Sequence, residues 1–252
     1  MRSPDILLSI AAALLVIWLG GIFVRRELYR EFPFFFAYII CSVMATAARL
    51  SASGDYRPFF KVYWGTEAAY ALFALLALHE VFRRVFLAFY LLWWWFRLIF
   101  PGAVVVIALI TFSNTIQPPA AAPRILGVVL LASLVAKYVE AGLFGVFFAL
   151  VVLCNLTWRT YAFGIVQGFA VSALGTWFAS RGRSEFGITF GSLAKYGPAV
   201  AYILAVIVWL AIFWRPERPA VTEQWTLTVT PDEMAMEIKQ YTEVLWRFVK
   251  RR

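Results

Sequence analysis

The feature that most constrains this chain is a series of apolar stretches, each about long enough to cross a lipid bilayer. A membrane-spanning helix needs about 20 predominantly apolar residues. Such stretches recur along the sequence, and they are separated by connecting segments that contain charged residues, Gly or Pro. They cover residues 5–24, 33–50, 58–82, 98–116, 124–154, 160–180 and 197–214. The pattern predicts an all-α, polytopic membrane helix bundle with about seven transmembrane helices.

The composition indicates the same class. Hydrophobic residues make up 63% of the chain and charged residues 15%, whereas a soluble domain is about half apolar and a quarter charged. The aromatic content of 18%, with 11 Trp, fits aromatic belts at two membrane interfaces. The net charge of +9 does not indicate nucleic-acid binding, because the basic residues lie in short joints and near the C-terminus. An anionic lipid surface explains them better, and the lipid bilayer is the first expected partner.

The distribution of Lys and Arg predicts the orientation. Arg2 precedes the first span, whereas Arg25, Arg26 and Arg30 follow it. Basic residues near helix ends favour the cytoplasmic side. We therefore expect a protein of the plasma membrane, with its N-terminus outside the cell and its C-terminus in the cytoplasm. The apolar stretch 6–24 is too long for a typical signal peptide and is expected to be retained as the first helix.

Residues 215–252 differ in character and are predicted to form a cytoplasmic tail after a membrane domain of residues 1–214. The stretch Thr230–Glu233 has the pattern of a capping box with Pro at the first helical position. An apolar stripe follows, formed by Met234, Ile238, Tyr241, Leu245 and Phe248. We expect this helix to lie on the inner membrane surface or on the loops of the bundle. The alternative is that residues 231–252 bind a membrane-protein partner.

The segment 85–97 is rich in Phe, Tyr and Trp and allows two interpretations. It is either a helix lying in the headgroup region or an early start of the following span. Further along, residues 181–197 contain four Gly, two Ser and one Thr. We interpret them as a connecting loop, with a lid or re-entrant turn as the alternative.

Lys137 and Glu140 are the first candidate site, because ionisable residues inside a membrane span are costly and usually functional. Their spacing of three residues places both on one helical face, where the side chains can pair. The pair is either a site for an ion, a proton or an anionic ligand, or a structural contact between helices.

Glu67 is the second candidate. Tyr63, Trp64 and Tyr70 share its helical face, and an acid surrounded by aromatic rings can hold a cation or an amine. Alternatively, Glu67 pairs with Arg49, which otherwise serves as an anchor that extends towards the interface. These five residues, with Lys137 and Glu140, form the predicted binding set of seven.

No catalytic residue, metal ligand or cofactor site is predicted. The chain contains no metalloprotease, hydrolase or phosphate-loop motif, so an enzyme is not expected. A single His, His79, does not support the usual metal or haem sites. With the adjacent Glu80 it is interpreted as an interfacial pair.

Three stretches carry a resemblance to small uncharacterised bacterial seven-helix membrane proteins. They are Tyr29-Arg30-Glu31-Phe32-Pro33-Phe34-Phe35, Tyr63-Trp64-Gly65-Thr66-Glu67-Ala68 and His79-Glu80-Val81-Phe82. The resemblance covers about residues 25–85 and implies a seven-helix bundle in the bacterial inner membrane. It implies no activity, because none is established for that group. The architecture also looks like the seven-helix sensory regions of bacterial histidine kinases, a likeness of fold alone.

Three functions are compatible with the sequence. The first is a sensory or accessory module that binds a small ligand, lipid or partner in the bundle and passes a shift to the tail. The second is a transporter or channel subunit in which Lys137, Glu140 and Glu67 line a polar path. The third is a structural subunit of a membrane complex.

Overall fold

The computed structural model describes residues 3–52, 54, 56–92, 94–114, 124–154, 161–186 and 191–215. These residues all belong to one compact unit, Met1–Arg215, and within them the secondary structure is helical, without strands. The helices are α1 (Ser3–Arg25), α2 (Leu28–Glu31), α3 (Pro33–Ser51), α4 (Tyr56–Val85), α5 (Leu87–Leu92), α6 (Ile99–Asn114), α7 (Arg124–Leu153), α8 (Tyr161–Phe186) and α9 (Gly191–Trp214). A 3₁₀ helix, Trp94–Leu98, precedes α6.

Six helices are long and apolar enough to cross a membrane. The spans are Leu7–Arg25, Pro33–Ser51, Trp94–Ser113, Val135–Leu153, Tyr161–Ala179 and Lys195–Trp214. They lie in α1, α3, the 3₁₀ helix with α6, α7, α8 and α9. The predicted all-α fold is confirmed for the described residues, and the six spans fit a multi-pass membrane protein.

Helix α4 accounts for the difference between six apolar spans and the predicted seven. It is a helix of 30 residues, about 45 Å long, and it packs against α3, α7 and α8. Its first half carries Lys61 and Glu67 among aromatic residues, Gly and Thr, whereas the second half is rich in Ala and Leu. The second half also carries His79, Glu80, Arg83 and Arg84. Polar residues in both halves lower the mean hydropathy, so α4 is not among the six.

Helix α8 is the most buried of the six spans. Within its span 56% of the residues are buried, against at most 33% for the other five. Gly164 and Gly168 explain its close contact with α9. A Cβ atom on Gly164 would lie 2.7 Å from a side-chain carbon of Ile212, and one on Gly168 would collide with the indole of Trp209. Small residues at such positions let two membrane helices approach closely.

The aromatic segment 85–97 divides into two short helices. Helix α5 comes first, and the 3₁₀ helix then leads directly into α6. Phe86 and Phe96 are buried, and their ring centroids lie 5.6 Å apart, while Leu91 and Trp94 are exposed. The segment therefore anchors its buried rings in the bundle, and the apolar span begins at Trp94.

The prediction of a loop at residues 181–197 is mostly wrong. Helix α8 continues to Phe186 and α9 begins at Gly191, with Pro198 inside it; residues 187–190 lie outside the described residues. Gly and Ser lower helix propensity by about 1 kcal/mol or less per residue, which tertiary packing overrides. The predicted tail and its helix, residues 216–252, lie outside the described residues and stay predictions.

Candidate functional site

Polar side chains from α3, α4, α7 and α9 gather inside the bundle. We refer to them as the polar cluster, which consists of Tyr38, Ser42, Arg49, Tyr63, Thr66, Glu67, Tyr70, Lys137, Glu140 and Tyr202. Polar groups in a membrane interior need internal partners, because hydrocarbon offers none. The contacts described below show how the cluster supplies them.

Three hydroxyl groups form the inner part of the polar cluster. The Tyr70 hydroxyl donates a hydrogen bond to Ser42 Oγ, and Ser42 Oγ lies 2.6 Å from the Tyr202 hydroxyl. The two phenol oxygens are 3.4 Å apart, and Ser42 is buried. The Tyr38 ring packs edge-on against Tyr70, with centroids 5.2 Å apart. One serine thus joins phenols of α4 and α9 to α3.

Arg49 and Glu67 form an ion pair between α3 and α4. Arg49 Nη2 lies 3.0 Å from Glu67 Oε1, and the two side chains are 23% and 26% exposed. Arg49 Nε donates to Thr66 Oγ1 at 2.8 Å. The guanidinium carbon lies 4.7 Å from the centroid of the Tyr63 ring and 5.9 Å from that of Tyr70. The structure therefore shows the alternative in which Glu67 pairs with Arg49, and it also brings the predicted aromatic rings to the pair.

Lys137 and Glu140 pair within α7, as their spacing predicts. The distance from Lys137 Nζ to Glu140 Oε2 is 3.4 Å. Glu140 is buried, with 7% of its side chain exposed, whereas the Lys137 side chain is 40% exposed. Glu67 is close enough to interact electrostatically with both charges, and Tyr38 with Glu140. The pair therefore belongs to the same electrostatic group as the ion pair of Arg49.

Trp64 lies at the edge of the predicted set. Its ring packs against Phe60 and Tyr63, at centroid distances of 6.1 Å and 5.2 Å. Sequence reasoning missed Tyr38, Ser42, Thr66 and Tyr202. A lone Ser, Thr or Tyr in an apolar span is common, and only the tertiary placement of α3 against α4 and α9 makes these four notable.

The end of the bundle where α1 and α9 finish has a second group of polar contacts. Arg26 Nη2 donates to the carbonyl oxygen of Trp214 at 2.7 Å. The Tyr161 hydroxyl donates to the carbonyl oxygen of Arg215 at 2.8 Å, and Arg26 Nη1 donates to Tyr161 Oη at 3.3 Å. We call these three contacts the α9 latch. They satisfy carbonyl groups at the end of a helix, which have no partner within the helix itself.

Glu80 and His79 also lie at this end. Glu80 Oε2 accepts hydrogen bonds from the backbone N–H groups of Phe34 and Phe35, at 3.1 Å and 3.2 Å. A carboxylate from α4 thereby caps the N-terminus of α3, where helix polarity favours negative charge. His79 Nε2 lies 3.3 Å from the Tyr90 hydroxyl. Both side chains therefore hold neighbouring helices together.

The polar cluster offers charged groups and hydroxyl groups that can bind a polar ligand. It contains two acids and two bases, all paired, next to a shared set of hydroxyl groups. A ligand with a carboxylate or an amine would exchange with one of these pairs. In the part of the chain that the structure describes, no group of three or more His, Cys, Asp or Glu side chains is placed to hold a metal ion.

Comparison with known proteins finds no matching family model, no matching curated protein and no matching solved structure.

Proposed function

We propose that the protein crosses the plasma membrane seven times, with α4 as the additional span, the N-terminus outside and the C-terminus in the cytoplasm. Support comes from charge and packing. The end of the bundle that carries the α9 latch also carries Arg25, Arg30, Arg83, Arg84, Arg97 and Arg215. Helix α4 ends there too, because Arg84 Nη1 lies 3.2 Å from Glu31 Oε2. A basic end of this kind favours the cytoplasm.

Labelling of single cysteines tests this topology. Cys41 and Cys154 are free thiols and are first replaced by Ala. Cysteines are then introduced one at a time at Glu27, Gly54 and Leu87, and right-side-out membrane vesicles are treated with an impermeant maleimide. We expect label at residue 54 and protection at residues 27 and 87. Label at both 54 and 87 would show that α4 does not cross, and the reverse pattern would invert the orientation.

We propose further that the bundle is a sensory or accessory module that binds a small ligand in the polar cluster. One observation carries this proposal: α9 contributes Tyr202 to the polar cluster and ends at Trp214, whose carbonyl oxygen Arg26 holds. Twelve residues of helix separate these two positions, about 18 Å. A ligand that changes the contacts of Tyr202 would thereby shift the end of α9, which precedes residues 216–252 in the chain.

The two ion pairs indicate where a ligand would enter the polar cluster. The Lys137–Glu140 contact is long, at 3.4 Å, and Lys137 is the more exposed partner. A ligand carboxylate would therefore compete with Glu140 for the Lys137 ammonium. The Arg49–Glu67 pair is tighter, and Arg49 has further contacts with Thr66 and Tyr63. Opening that pair costs more, so we assign the ligand contact to Lys137.

The rate at which trypsin cleaves the tail at Lys239 tests the link between polar cluster and tail. The full chain is placed in nanodiscs of phosphatidylethanolamine and phosphatidylglycerol. Tyr202→Phe removes the hydroxyl from the polar cluster, and we expect the cleavage rate to change by about threefold or more, as loss of a hydrogen bond allows. Tyr138→Phe is the matched control, because Tyr138 faces outward on α7. Equal rates for wild type and Tyr202→Phe would contradict the proposal.

Transport is the second candidate, and the order of the charges favours it. Arg49, Glu67, Lys137 and Glu140 alternate in sign between the end of α3 and the middle of α7. Such a series is typical of proton and ion paths. Proteoliposomes that contain a pH-sensitive dye measure proton flux under a potassium diffusion potential. Flux above empty liposomes that falls in Lys137→Met would support transport, and flux equal to empty liposomes would exclude it for protons.

A further inference from the structure

The outer surface of α8 carries an amide at a depth where lipid offers no hydrogen bond. Gln167 is the seventh residue of the span Tyr161–Ala179. It therefore lies about 9 Å along the helix from the start of that span, inside a hydrocarbon layer about 30 Å thick. Gln167 is exposed, and among the residues that the structure describes its amide has no hydrogen-bond partner.

Gln167 belongs to a narrow exposed stripe on an otherwise buried helix. Leu174, Trp177 and Phe178 are the other exposed residues of the span. They follow Gln167 by seven, ten and eleven residues, which places all four within about 100° of one another around the helix. We call these four residues the α8 stripe. The Gln167 amide is unfavourable in contact with lipid tails. The residues of the α8 stripe are therefore not suited to contact with lipid alone.

A groove adjoins the α8 stripe. It has a volume of about 450 Å³ and lies between α6, α7 and α8. Leu174 and Trp177 of the stripe line one side of it, and Ile107, Ile110 and Gly142 line the other. The groove is open and almost wholly apolar, so large side chains can pack into it. The stripe thus combines a hydrogen-bonding group with a concave surface for packing.

We propose that the α8 stripe is the interface of a homodimer in which Gln167 hydrogen-bonds to Gln167 of a second copy. A glutamine amide is both donor and acceptor, so two of them are complementary to each other. All copies insert in the same orientation, and a twofold axis perpendicular to the membrane therefore makes the two α8 helices meet in parallel. Residues near the crossing point then face their own equivalents. Small and polar residues are the usual contacts between membrane helices.

Disulfide cross-linking tests the geometry in native membranes. In a Cys41→Ala, Cys154→Ala background, Gln167→Cys is oxidised with copper phenanthroline. We expect a covalent dimer at several times the yield of Leu72→Cys, a control on the exposed surface of α4. Leu174→Cys, one heptad further along the stripe, is expected to cross-link as well. Equal yields at residues 167 and 72 would overturn the proposed interface.

Single-molecule photobleaching in liposomes tests the contribution of the amide. The fraction of dimer is measured against protein density for wild type, Gln167→Leu and Gln167→Asn. We expect the dissociation constant to rise about tenfold in Gln167→Leu, as for two interhelical hydrogen bonds lost in a membrane. Gln167→Asn, which keeps an amide, should lose less. If the wild type is monomeric at every density, the homodimer is refuted. The α8 stripe would then be expected to bind a different protein.

The melting temperature of each variant in detergent shows whether the substitution causes a folding defect. If Gln167→Leu melts at the wild-type temperature, the change in dissociation constant reports the interface. If it melts lower, Gln167→Cys takes its place, because the cross-link forms between folded copies in the membrane. In that case the yield relative to Leu72→Cys decides the proposal.

Discussion

The indole of Trp209 lies directly over Gly168, where α9 packs against α8. Its Nε1 donates a hydrogen bond to the carbonyl oxygen of Ile165 at 3.1 Å. Trp209 is 1% exposed, and its ring packs edge-on against Phe35 and Phe169, at centroid distances of 5.0 Å and 5.2 Å. A large side chain is thus fixed between three helices, and only a residue without a Cβ fits beneath it.

Gly168→Ala should therefore destabilise the bundle. The added Cβ collides with the Trp209 indole, and overpacking of this kind costs about 1–3 kcal/mol. The measurement is the free energy of unfolding in mixed micelles titrated with sodium dodecyl sulfate. Gly145→Ala is the matched control, since a Cβ there meets nothing within 4 Å and the change gains helix propensity of about 1 kcal/mol. Equal effects of the two substitutions would contradict the close packing of α8 and α9.

The sequence predicts the helices better than the contacts between them. The bounds of α1, α3 and α7 lie within three residues of those predicted, because apolar length alone determines them. The Lys137–Glu140 pair was also predictable, since its two residues lie on one turn of one helix. The contact of Ser42 with Tyr202 joins residues 160 positions apart. Periodicity within a single helix carries no information on such a distant partner.

The extent of α8 and α9 shows a different limit. Gly and Ser in residues 181–197 indicated a loop, yet helix covers most of this range. Local propensity is weak compared with the packing of a long helix against its neighbours. Glu67 was an intermediate case. Its aromatic neighbours were predictable from spacing, but the choice of Arg49 as partner depended on the pairing of α3 with α4.

The Lys137–Glu140 pair provides a second prediction. Lys137→Met leaves the buried Glu140 carboxylate without its cation, and removal of one partner of a buried pair costs about 3–5 kcal/mol. Glu140→Gln should cost less, because the partly exposed lysine can reach a more polar depth. The double variant Lys137→Met, Glu140→Leu should recover most of the stability, since an apolar pair replaces the ionic one. The free energies of unfolding of all three variants decide this.

A double variant that is less stable than Lys137→Met alone would contradict the interpretation that Lys137 and Glu140 neutralise each other's charge. Recovery of stability has a further use. The response of the tail to Tyr202→Phe, measured as the cleavage rate at Lys239, can then be compared between the wild type and the stable double variant. Loss of this response in a stable double variant would show that the pair has a functional role in addition to a structural one.

Ser42→Ala is the third prediction. The substitution removes the oxygen that the Tyr70 and Tyr202 hydroxyls share. The two phenol groups then lose their shared partner and keep weaker contacts, a mutual one at 3.4 Å and that of Tyr202 with Tyr38. An unsatisfied buried polar group costs about 1–3 kcal/mol. Ser113→Ala is the control, because within the described part of the chain that exposed hydroxyl bonds only to the carbonyl oxygen of Ile110 in its own helix. We expect a loss of stability in Ser42→Ala and almost none in Ser113→Ala, measured by thermal melting in detergent.

The fourth prediction concerns Glu80, which caps α3 from another helix. Phe34 and Phe35 follow Pro33 in the first turn of α3, where the backbone N–H groups lack acceptors within the helix. Glu80→Ala removes the acceptor of both, and loss of a cap costs about 0.5–2 kcal/mol. Glu80→Gln keeps an oxygen there and loses only the charge, so its cost should be smaller. Hydrogen exchange at the amides of residues 34 and 35 is the measurement. Faster exchange in Glu80→Ala than in Glu80→Gln is expected, and unchanged exchange in Glu80→Ala would show that the cap does not hold the start of α3.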